Sequence, residues 1–359
     1  MSRRSTTLLK AALTALHYTG ADGLMAPYTS GNGVIFMLHH VTPEAPRAFE
    51  PNRILKITPA FLDATIRQVH DAGFDFVAMD DVPERLKAGP GERPFAAFTL
   101  DDGYKDNRDH AYPIFKRHGV PFTIYVPSDF GDGKGDLWWL AFEEALRRLD
   151  FLTLKMGSRP QHFNLTTADG KSAAFQAIYW WLRGLPEVEA RAQVARMAKQ
   201  AGFDGSTLCR DLVMSWDELR DFAEDPLVSV GAHTNTHYAL AKLPADRAKR
   251  EIAESVARVE REIGKRCRHF SYPYGSEDTA GAREFEMVAA LGLATAVTTR
   301  KGLLHVSGET NLAALPRLSL NGDFQDPRYL KVLLSGVPFA FWNAMRRLKS
   351  EPGAYEQTA

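Results

Sequence analysis

The chain has 359 residues, a length that fits about two domains or one large α/β barrel. Of these residues, 45% are hydrophobic and 25% charged, values typical of a soluble globular protein. Basic and acidic residues both number 44, and this balance predicts no affinity for nucleic acid. No apolar run reaches the roughly 18 residues of a membrane span. Cys209 and Cys267 are interpreted as reduced thiols of a cytoplasmic protein, with a disulfide in an exported or membrane-peripheral protein as the alternative.

Both ends of the chain have helical patterns. Leu9, Leu13 and Leu16 recur at helical spacing after two N-terminal arginines, which predicts a helical extension over residues 1–33, with a signal peptide as the alternative. A helical tail is predicted over residues 326–359. This tail is expected to pack on the rest of the protein, with peripheral membrane contact as the alternative.

Between these ends, strand and helix patterns alternate. Short apolar runs predict strands over residues 34–38, 74–79, 95–100, 122–126, 227–230, 269–272 and 294–298. Helices are predicted from Thr58, which can cap Pro59 at the first helical position, and over residues 107–118 and 245–265. The alternation predicts an α/β fold with a parallel sheet or barrel, whose functional residues follow the carboxyl ends of strands.

From residue 136 to residue 215 this alternation stops. Helical patterns rich in tryptophan and alanine predict a mostly helical insertion within one domain of residues 34–325. Helical spacing favours core positions for Trp138, Trp139, Trp180 and Trp181.

Two motifs carry candidate metal ligands. Asp101 and Asp102 follow the strand over residues 95–100, and Gly103 permits a turn that brings both carboxylates to one site. His233 and His237 follow another strand at a spacing that lets both imidazoles face one point, on a helical turn or a tight loop. Two histidines and one carboxylate predict a divalent metal site, with zinc the favoured ion, and the second carboxylate is free for proton transfer.

A third motif covers residues 270–275 and contains Pro273 and Tyr274. Proline fixes the backbone direction, so the Tyr274 N–H could point at a developing oxyanion. The alternative is an aromatic turn that packs on the rim of the barrel.

The order of these three motifs resembles that of the polysaccharide deacetylases of the NodB-homology type, carbohydrate esterase family 4. Residues 37–42, 102–107, 111–115 and 119–124 are also similar to the family's first βα unit and its surroundings. The resemblance covers residues 34–130 and 213–320, and it leaves out the insertion and both termini. It implies a distorted (β/α) barrel with about seven parallel strands.

The resemblance also implies roles for the motif residues. Asp102, His233 and His237 become the metal ligands, and Asp101 becomes the general base. The implied reaction is removal of N-acetyl groups from an N-acetylglucosamine-containing polysaccharide or oligosaccharide, with water activated by the metal. An acetylated glycan is then the expected partner. Stacking of the four tryptophans of the insertion on its sugar rings is the alternative to their core positions.

Two features depart from the family pattern. Ser271 stands where many members have an arginine that orients the base, and Arg317 is the candidate replacement, with a structural salt bridge as the alternative. The family's late catalytic acid has His305 as its candidate, whereas His39 and His40 are rival candidates near the first strand. Other functions left open are an O-acetyl esterase, a small-molecule C–N hydrolase and a catalytically silent carbohydrate-binding protein.

Overall fold

The computed structural model describes residues 3–88, 93–305 and 310–350. The strands are β1 (Gly33–Leu38), β2 (His40–Val41), β3 (Lys56–Ile57), β4 (Asp75–Phe76), β5 (Phe95–Asp101), β6 (Phe122–Val126), β7 (Phe151–Met156), β8 (Arg159–Asn164), β9 (Val228–Ala232), β10 (His269–Ser271), β11 (Thr295–Lys301) and β12 (Leu315–Ser319). The helices are α1 (Arg3–Tyr18), α2 (Ala21–Thr29), α3 (Pro59–Asp71), α4 (Val82–Lys87), α5 (Tyr112–His118), α6 (Ser128–Gly131), α7 (Trp138–Arg148), α8 (Ala168–Gly184), α9 (Glu187–Gln200), α10 (Leu208–Leu212), α11 (Trp216–Phe222), α12 (Ala245–Ile263), α13 (Ala282–Ala289), α14 (Pro327–Leu334) and α15 (Val337–Ser350).

Seven parallel strands close into a barrel. Their order is β1, β12, β11, β10, β9, β6 and β5, and β5 pairs again with β1 to complete the ring. The short strand β4 adds to β5 outside the ring, over fewer residues than the strand predicted at 74–79. The predicted distorted (β/α) barrel is therefore confirmed.

The barrel interior changes from apolar to polar along each strand. Because side chains alternate between the two faces of a strand, Phe95, Ala97, Thr99 and Asp101 of β5 share one face. Phe95 and Ala97 pack in an apolar cluster with Ile35 of β1. Polar residues follow toward the carboxyl end, so the polar site lies at one end of a packed core.

Helix boundaries follow local signals in the sequence. The Thr58 hydroxyl accepts a hydrogen bond from the Phe61 N–H at 3.2 Å, which caps α3 as predicted. Gly119 ends α5 in the left-handed conformation, with φ of 65°. The predicted helix over residues 107–118 is a π-helical turn, Asn107–Ala111, followed by α5.

The insertion contains α7, α8, α9 and α10 and also an antiparallel hairpin of β7 and β8. The hairpin was not predicted: Leu152, Leu154 and Met156 of β7 alternate with exposed polar residues, but β8 is mostly exposed and shows no apolar alternation. Trp138 and Trp139 are buried in the core of the insertion, as helical spacing predicted. Trp180 is 65% exposed.

The terminal helices pack in pairs, α1 on α14 and α2 on α15. Within the described ranges, no helix is both long enough and apolar enough to cross a membrane. Cys209 and Cys267 are buried and unpaired, so the structure contains no disulfide between them.

Candidate metal and catalytic site

Three predicted ligands meet at the carboxyl ends of two barrel strands. Asp102 follows β5, and His233 and His237 follow β9. The Oδ1 atom of Asp102 lies 3.7 Å from Nε2 of His233 and 3.4 Å from Nε2 of His237. One ligand atom from each residue lies within 4.8 Å of the others, and all three residues are buried. This arrangement suits a divalent metal ion bound by two imidazoles and one carboxylate.

The backbone of this site is strained. In the described part of the chain, the non-glycine residues with positive φ are Asp102 (73°), Thr234 (65°), His237 (57°) and Tyr274 (61°). All four lie in the three motifs, although a Cβ atom disfavours left-handed backbone. Such strain costs on the order of 1–3 kcal/mol per residue and persists where surrounding contacts enforce it, most often at functional sites. Its concentration here marks this end of the barrel as the functional one.

The histidines lie on a loop that a buried glutamate holds in place. Oε2 of Glu251, on α12, accepts hydrogen bonds from the backbone N–H groups of Asn235 (3.1 Å) and Thr236 (3.0 Å). Oε1 accepts a third from the Thr236 hydroxyl at 2.9 Å. These bonds to a carboxylate fix the loop and therefore the direction of both imidazoles.

The charge state of the cluster suits a cation. Nδ1 of His233 donates to the Ser271 carbonyl oxygen at 2.6 Å, so the unprotonated nitrogen of the neutral ring is Nε2, which faces Asp102. Burial lowers the pKa of His233 and the pKa of His237, which keeps both rings neutral. Burial and the Asp101 charge raise the pKa of Asp102, whose buried Oδ1 has no hydrogen-bond partner among the residues described. A divalent cation would supply the positive charge this cluster lacks.

Asp101 is held apart from the ligands by a buried arginine of β12. Nη1 and Nη2 of Arg317 donate to Oδ1 (2.8 Å) and Oδ2 (2.7 Å) of Asp101. Arg317 also donates to the Thr298 carbonyl (2.9 Å) and to the hydroxyls of Thr99 and Ser271 (both 3.1 Å). Burial raises the pKa of Asp101, but the charge and hydrogen bonds of Arg317 outweigh burial and hold that pKa at about 2. The carboxylate is therefore ionised and fixed in orientation.

Among the three candidate acids, His39 is the one beside Asp101. Its Nε2 lies 3.9 Å from Oδ2 of Asp101, and burial lowers the pKa of His39 to about 4. His40 points elsewhere: its Nδ1 is hydrogen-bonded to Asp106 at 2.7 Å, and its ring stacks on Tyr104 with centroids 3.7 Å apart. His39 therefore becomes the candidate acid.

His305 is not part of this cluster, which corrects the prediction of a late histidine as the acid. The preceding residue, Leu304, donates its N–H to the Gly33 carbonyl at 2.8 Å. Gly33 begins β1, so this contact lies at the amino ends of the strands, whereas the metal ligands follow the carboxyl ends. The segment after β11 turns back along the barrel, so His305 is exposed near the amino ends of the strands and far from the proposed ligands.

Tyr274 links the metal cluster to the insertion. Its ring centroid lies 5.1 Å from that of His237, and its hydroxyl accepts a hydrogen bond from Trp138 Nε1 at 2.8 Å. The guanidinium carbon of Arg183 lies 3.9 Å from the centroid of the tyrosine ring, a cation–π contact. The Thr299 hydroxyl donates to the Tyr274 carbonyl at 2.5 Å, but no described residue accepts a hydrogen bond from the Tyr274 N–H. That N–H is available to a ligand.

The insertion also supports the second histidine. Arg191, on α9, donates to the His237 carbonyl at 3.2 Å and to Glu187 at 2.6 Å, and its guanidinium lies 4.2 Å from the centroid of the Tyr238 ring. Sequence reasoning named neither Arg191 nor Arg183, because the family resemblance leaves out the insertion. It also missed Glu251, whose signal was an acidic residue beside the apolar face of the predicted helix over 245–265.

Comparison with known proteins agrees with the motifs. The family model described as polysaccharide deacetylase matches residues 158–294, which include both histidines and the third motif but not the aspartate pair. The resemblance to the polysaccharide deacetylases that the motifs predicted is therefore confirmed over this part of the chain. YxkH of Bacillus subtilis (strain 168), whose name places it among polysaccharide deacetylases, is 30% identical over 74 residues, which are 20% of this chain and 26% of YxkH. The chain thus matches about a quarter of that relative's length.

Solved structures of deacetylases share the fold. The Streptococcus pyogenes deacetylase PplD, in complex with acetate, aligns with a TM-score of 0.53 and 17% identity over 83% of this chain and 95% of PplD. IcaB from Ammonifex degensii aligns with a TM-score of 0.52 and 17% identity over 85% of this chain and 97% of IcaB. At these identities the likeness concerns the fold, and it spans nearly the whole of both solved chains.

Proposed function

We propose that this protein is a metal-dependent hydrolase that removes N-acetyl groups from an N-acetylglucosamine-containing polysaccharide or oligosaccharide. The observation that carries the proposal is the convergence of Asp102, His233 and His237 within 4.8 Å, beside an ionised carboxylate, Asp101. The match to the polysaccharide deacetylase family supports hydrolysis of an acetyl group from a glycan. Zinc is the proposed ion because it accepts this set of ligands.

Asp102, His233 and His237 would hold the ion, which when bound acts as a Lewis acid toward water and the acetyl carbonyl. Asp101 is the proposed general base, because it is ionised and adjacent to Asp102 in the chain. Arg317 holds Asp101 through both carboxylate oxygens, so its orientation is set before substrate binds. Asp101 accepts a proton from the attacking water as the new C–O bond forms.

His39 is the proposed acid for the leaving group. An amide nitrogen must receive a proton before the C–N bond can break at a useful rate. His39 is neutral because burial lowers its pKa to about 4, and it lies 3.9 Å from Asp101. It can therefore take up the proton that Asp101 removes from water and pass it to the departing nitrogen. The products are acetate and the free amine.

The backbone N–H of Tyr274 is the proposed donor to the oxyanion of the tetrahedral intermediate. Its left-handed conformation and the contacts of its side chain with Trp138 and Arg183 support a preset position. A donor that is already oriented stabilises developing charge without reorganisation during the reaction.

The test is release of acetate from N-acetylglucosamine oligomers, peptidoglycan and acetylated xylan, with and without a chelator and after zinc is restored. We expect release from an N-acetylated substrate, loss on chelation and recovery with zinc. Asp102→Asn should lower both metal content and activity, whereas Asp101→Asn should retain metal and lose activity. Release from xylan alone would identify an O-acetyl esterase instead. Binding of the glycans without any release by metallated protein would identify a carbohydrate-binding protein.

A further inference from the structure

An exposed tryptophan ends a row of aromatic rings that begins at the metal cluster. Trp180, on α8, is 65% exposed, although large aromatic side chains are generally well buried. It contacts Tyr179 edge to face with centroids 5.2 Å apart, and Tyr179 stacks on Trp138 at 5.8 Å. Trp138 donates to the Tyr274 hydroxyl, and the Tyr274 ring lies beside that of His237.

The direction of α8 shows that Trp180 lies toward the site. Arg183 follows Trp180 by three residues, and residues at this spacing lie on neighbouring parts of a helix surface. Arg183 contacts the Tyr274 ring, so this part of α8 borders the proposed oxyanion donor. Tyr179 limits the movement of the indole from one side, while the rest of the ring stays open to solvent.

We propose that Trp180 forms a sugar-binding subsite, on which a pyranose ring of the acetylated glycan stacks beyond the unit that loses its acetyl group. This inference rests on the proposed function and extends it to a chain of several sugars. The C–H face of a pyranose is apolar and matches the flat surface of an indole.

A remote subsite predicts a specific kinetic pattern. Contacts made equally in the ground state and the transition state lower KM without changing kcat. Trp180→Ala should therefore raise KM for an N-acetylglucosamine tetramer about tenfold, a loss of about 1.4 kcal/mol in binding. Activity on the monosaccharide should not change, and Trp180→Tyr should restore most of the loss.

The matched control is Phe151→Ala, since Phe151 lies in the same insertion and is also 65% exposed. Tetramer binding is measured in parallel by calorimetry in an Asp101→Asn background, so that a result does not depend on turnover. Weaker tetramer binding on loss of Trp180, with Phe151→Ala unchanged, supports the subsite. Unchanged tetramer binding, or an equal loss for both variants, overturns it. Failure of the wild-type protein to release acetate instead counts against the proposed function.

Exposed hydrophobic side chains on the terminal helices support a second, independent inference. Among the described residues, seven of the twelve exposed large hydrophobic side chains lie on α1, α2 and α15: Leu8, Tyr18, Leu24, Met25, Tyr28, Phe341 and Trp342. These helices pack on one another, and exposed apolar side chains concentrated in one part of a protein are typical of an interaction site.

These helices are also basic, although the whole chain has equal numbers of both charges. In sequence these helices and α14 contain one acidic residue, Asp22, and eight basic residues. Among the basic side chains that the structure describes there, Lys10, Arg328 and Lys331, Arg328 is paired with Asp326 at the start of α14. Aromatic and aliphatic side chains combined with lysine and arginine are typical of helices that lie in a membrane interface. Each lysine or arginine near an anionic bilayer contributes about 1 kcal/mol of attraction.

We infer that these terminal helices bind an anionic lipid surface. The Thr29 hydroxyl donates to the Ser335 carbonyl at 2.6 Å, which joins the end of α2 to the end of α14 close to the start of β1. This junction lies at the amino ends of the barrel strands, opposite the metal cluster.

The test is co-sedimentation of the full chain with vesicles of phosphatidylcholine, with and without phosphatidylglycerol. We expect binding that requires phosphatidylglycerol, weakens at high salt and falls at least tenfold in a Phe341→Ser/Trp342→Ser variant. Phe151→Ser is the control with an equally exposed aromatic residue elsewhere. Binding to neutral vesicles alone, no binding, or a stable dimer that the double substitution dissociates would overturn the inference. Activity on soluble oligomers should be the same in all these variants.

Discussion

Arg317 and Asp101 form a bidentate pair inside the barrel, with N···O distances of 2.8 and 2.7 Å. The pair joins β12 to β5, the two strands on either side of β1. Arg317 has no exposed surface, so bulk water cannot take the place of the carboxylate as a hydrogen-bond partner of the guanidinium. The proposed base, Asp101, is therefore held by a contact between the two strands that flank β1 in the closed barrel.

Arg317→Met should destabilise the protein and shift its pH profile. An unpaired buried carboxylate costs about 3–5 kcal/mol in the free energy of unfolding, which urea denaturation at neutral pH would measure. Burial raises the pKa of Asp101 and Arg317 lowers it, so loss of the arginine raises this pKa from about 2. The acidic limb of the kcat/KM profile should therefore move to higher pH. Arg317→Lys keeps the charge and should shift it less.

The same pair predicts how the stability difference depends on pH. The folded-state pKa of Asp101 lies below the unfolded value of about 3.9, so its stabilisation is present above that pH and is lost as pH falls through about 2. The gap between wild type and Arg317→Met should therefore narrow in acid. Arg53→Met, which removes a pair between a half-exposed arginine and Asp323, should cost less, about 1 kcal/mol at neutral pH. Equal losses for the two variants would contradict this account.

Glu251→Gln should weaken metal binding, although residue 251 would not itself contact the ion. The glutamine keeps the size of the side chain but loses the charge that holds the histidine loop. Loss of such a supporting group lowers metal affinity by about 10–100-fold, which a zinc-chelator competition would measure. Glu254→Gln is the matched control, because Glu254 is exposed and contacts the loop through one Asn235 amide bond. Similar affinities for the two variants would show that Glu251 has no special role.

Gly231→Ala tests the packing of β9 below the histidines. A Cβ atom at Gly231 would lie 2.6 Å from the Tyr125 ring and 2.8 Å from the His269 carbonyl oxygen, and the carbonyl belongs to a neighbouring strand. Overpacking of this kind costs about 1–3 kcal/mol in the free energy of unfolding. Gly184→Ala, at the end of α8, meets no atom within 4 Å and should be nearly neutral. The comparison requires thermal or urea unfolding of both variants.

The meeting of the three proposed metal ligands could be predicted because each motif directly follows a strand. In a parallel barrel the carboxyl ends of all strands converge, so Asp102 and His233 meet although they are far apart in the chain. The left-handed backbone of Asp102 and His237 could not be predicted, because aspartate and histidine do not require it and local contacts impose it. The loop contacts of Glu251 likewise depend on how α12 packs against β9.

The choice of acid could not be made from the sequence because it depends on which end of the barrel a segment reaches. Leu303-Leu-His305 follows β11 and matches the family's letters, but its chain turns back to pair with Gly33. His39 follows β1 directly and therefore lies at the catalytic end. The β7–β8 hairpin was missed for a different reason: β7 alternates apolar and polar residues, but β8 does not, and helical patterns dominate the rest of the insertion.

Substitution of His39 should affect amide substrates far more than activated esters. General acid catalysis contributes about 10²–10⁴-fold when the leaving group needs a proton, as a glycan amine does. 4-Nitrophenolate leaves without one, so His39→Ala should lose about that factor in kcat on an N-acetylglucosamine oligomer but little on 4-nitrophenyl acetate. His305→Ala should match wild type on both substrates, because His305 is exposed at the opposite end of the barrel. Equal losses on the amide and the ester in His39→Ala, with metal content unchanged, would assign His39 to substrate or water positioning instead of proton transfer.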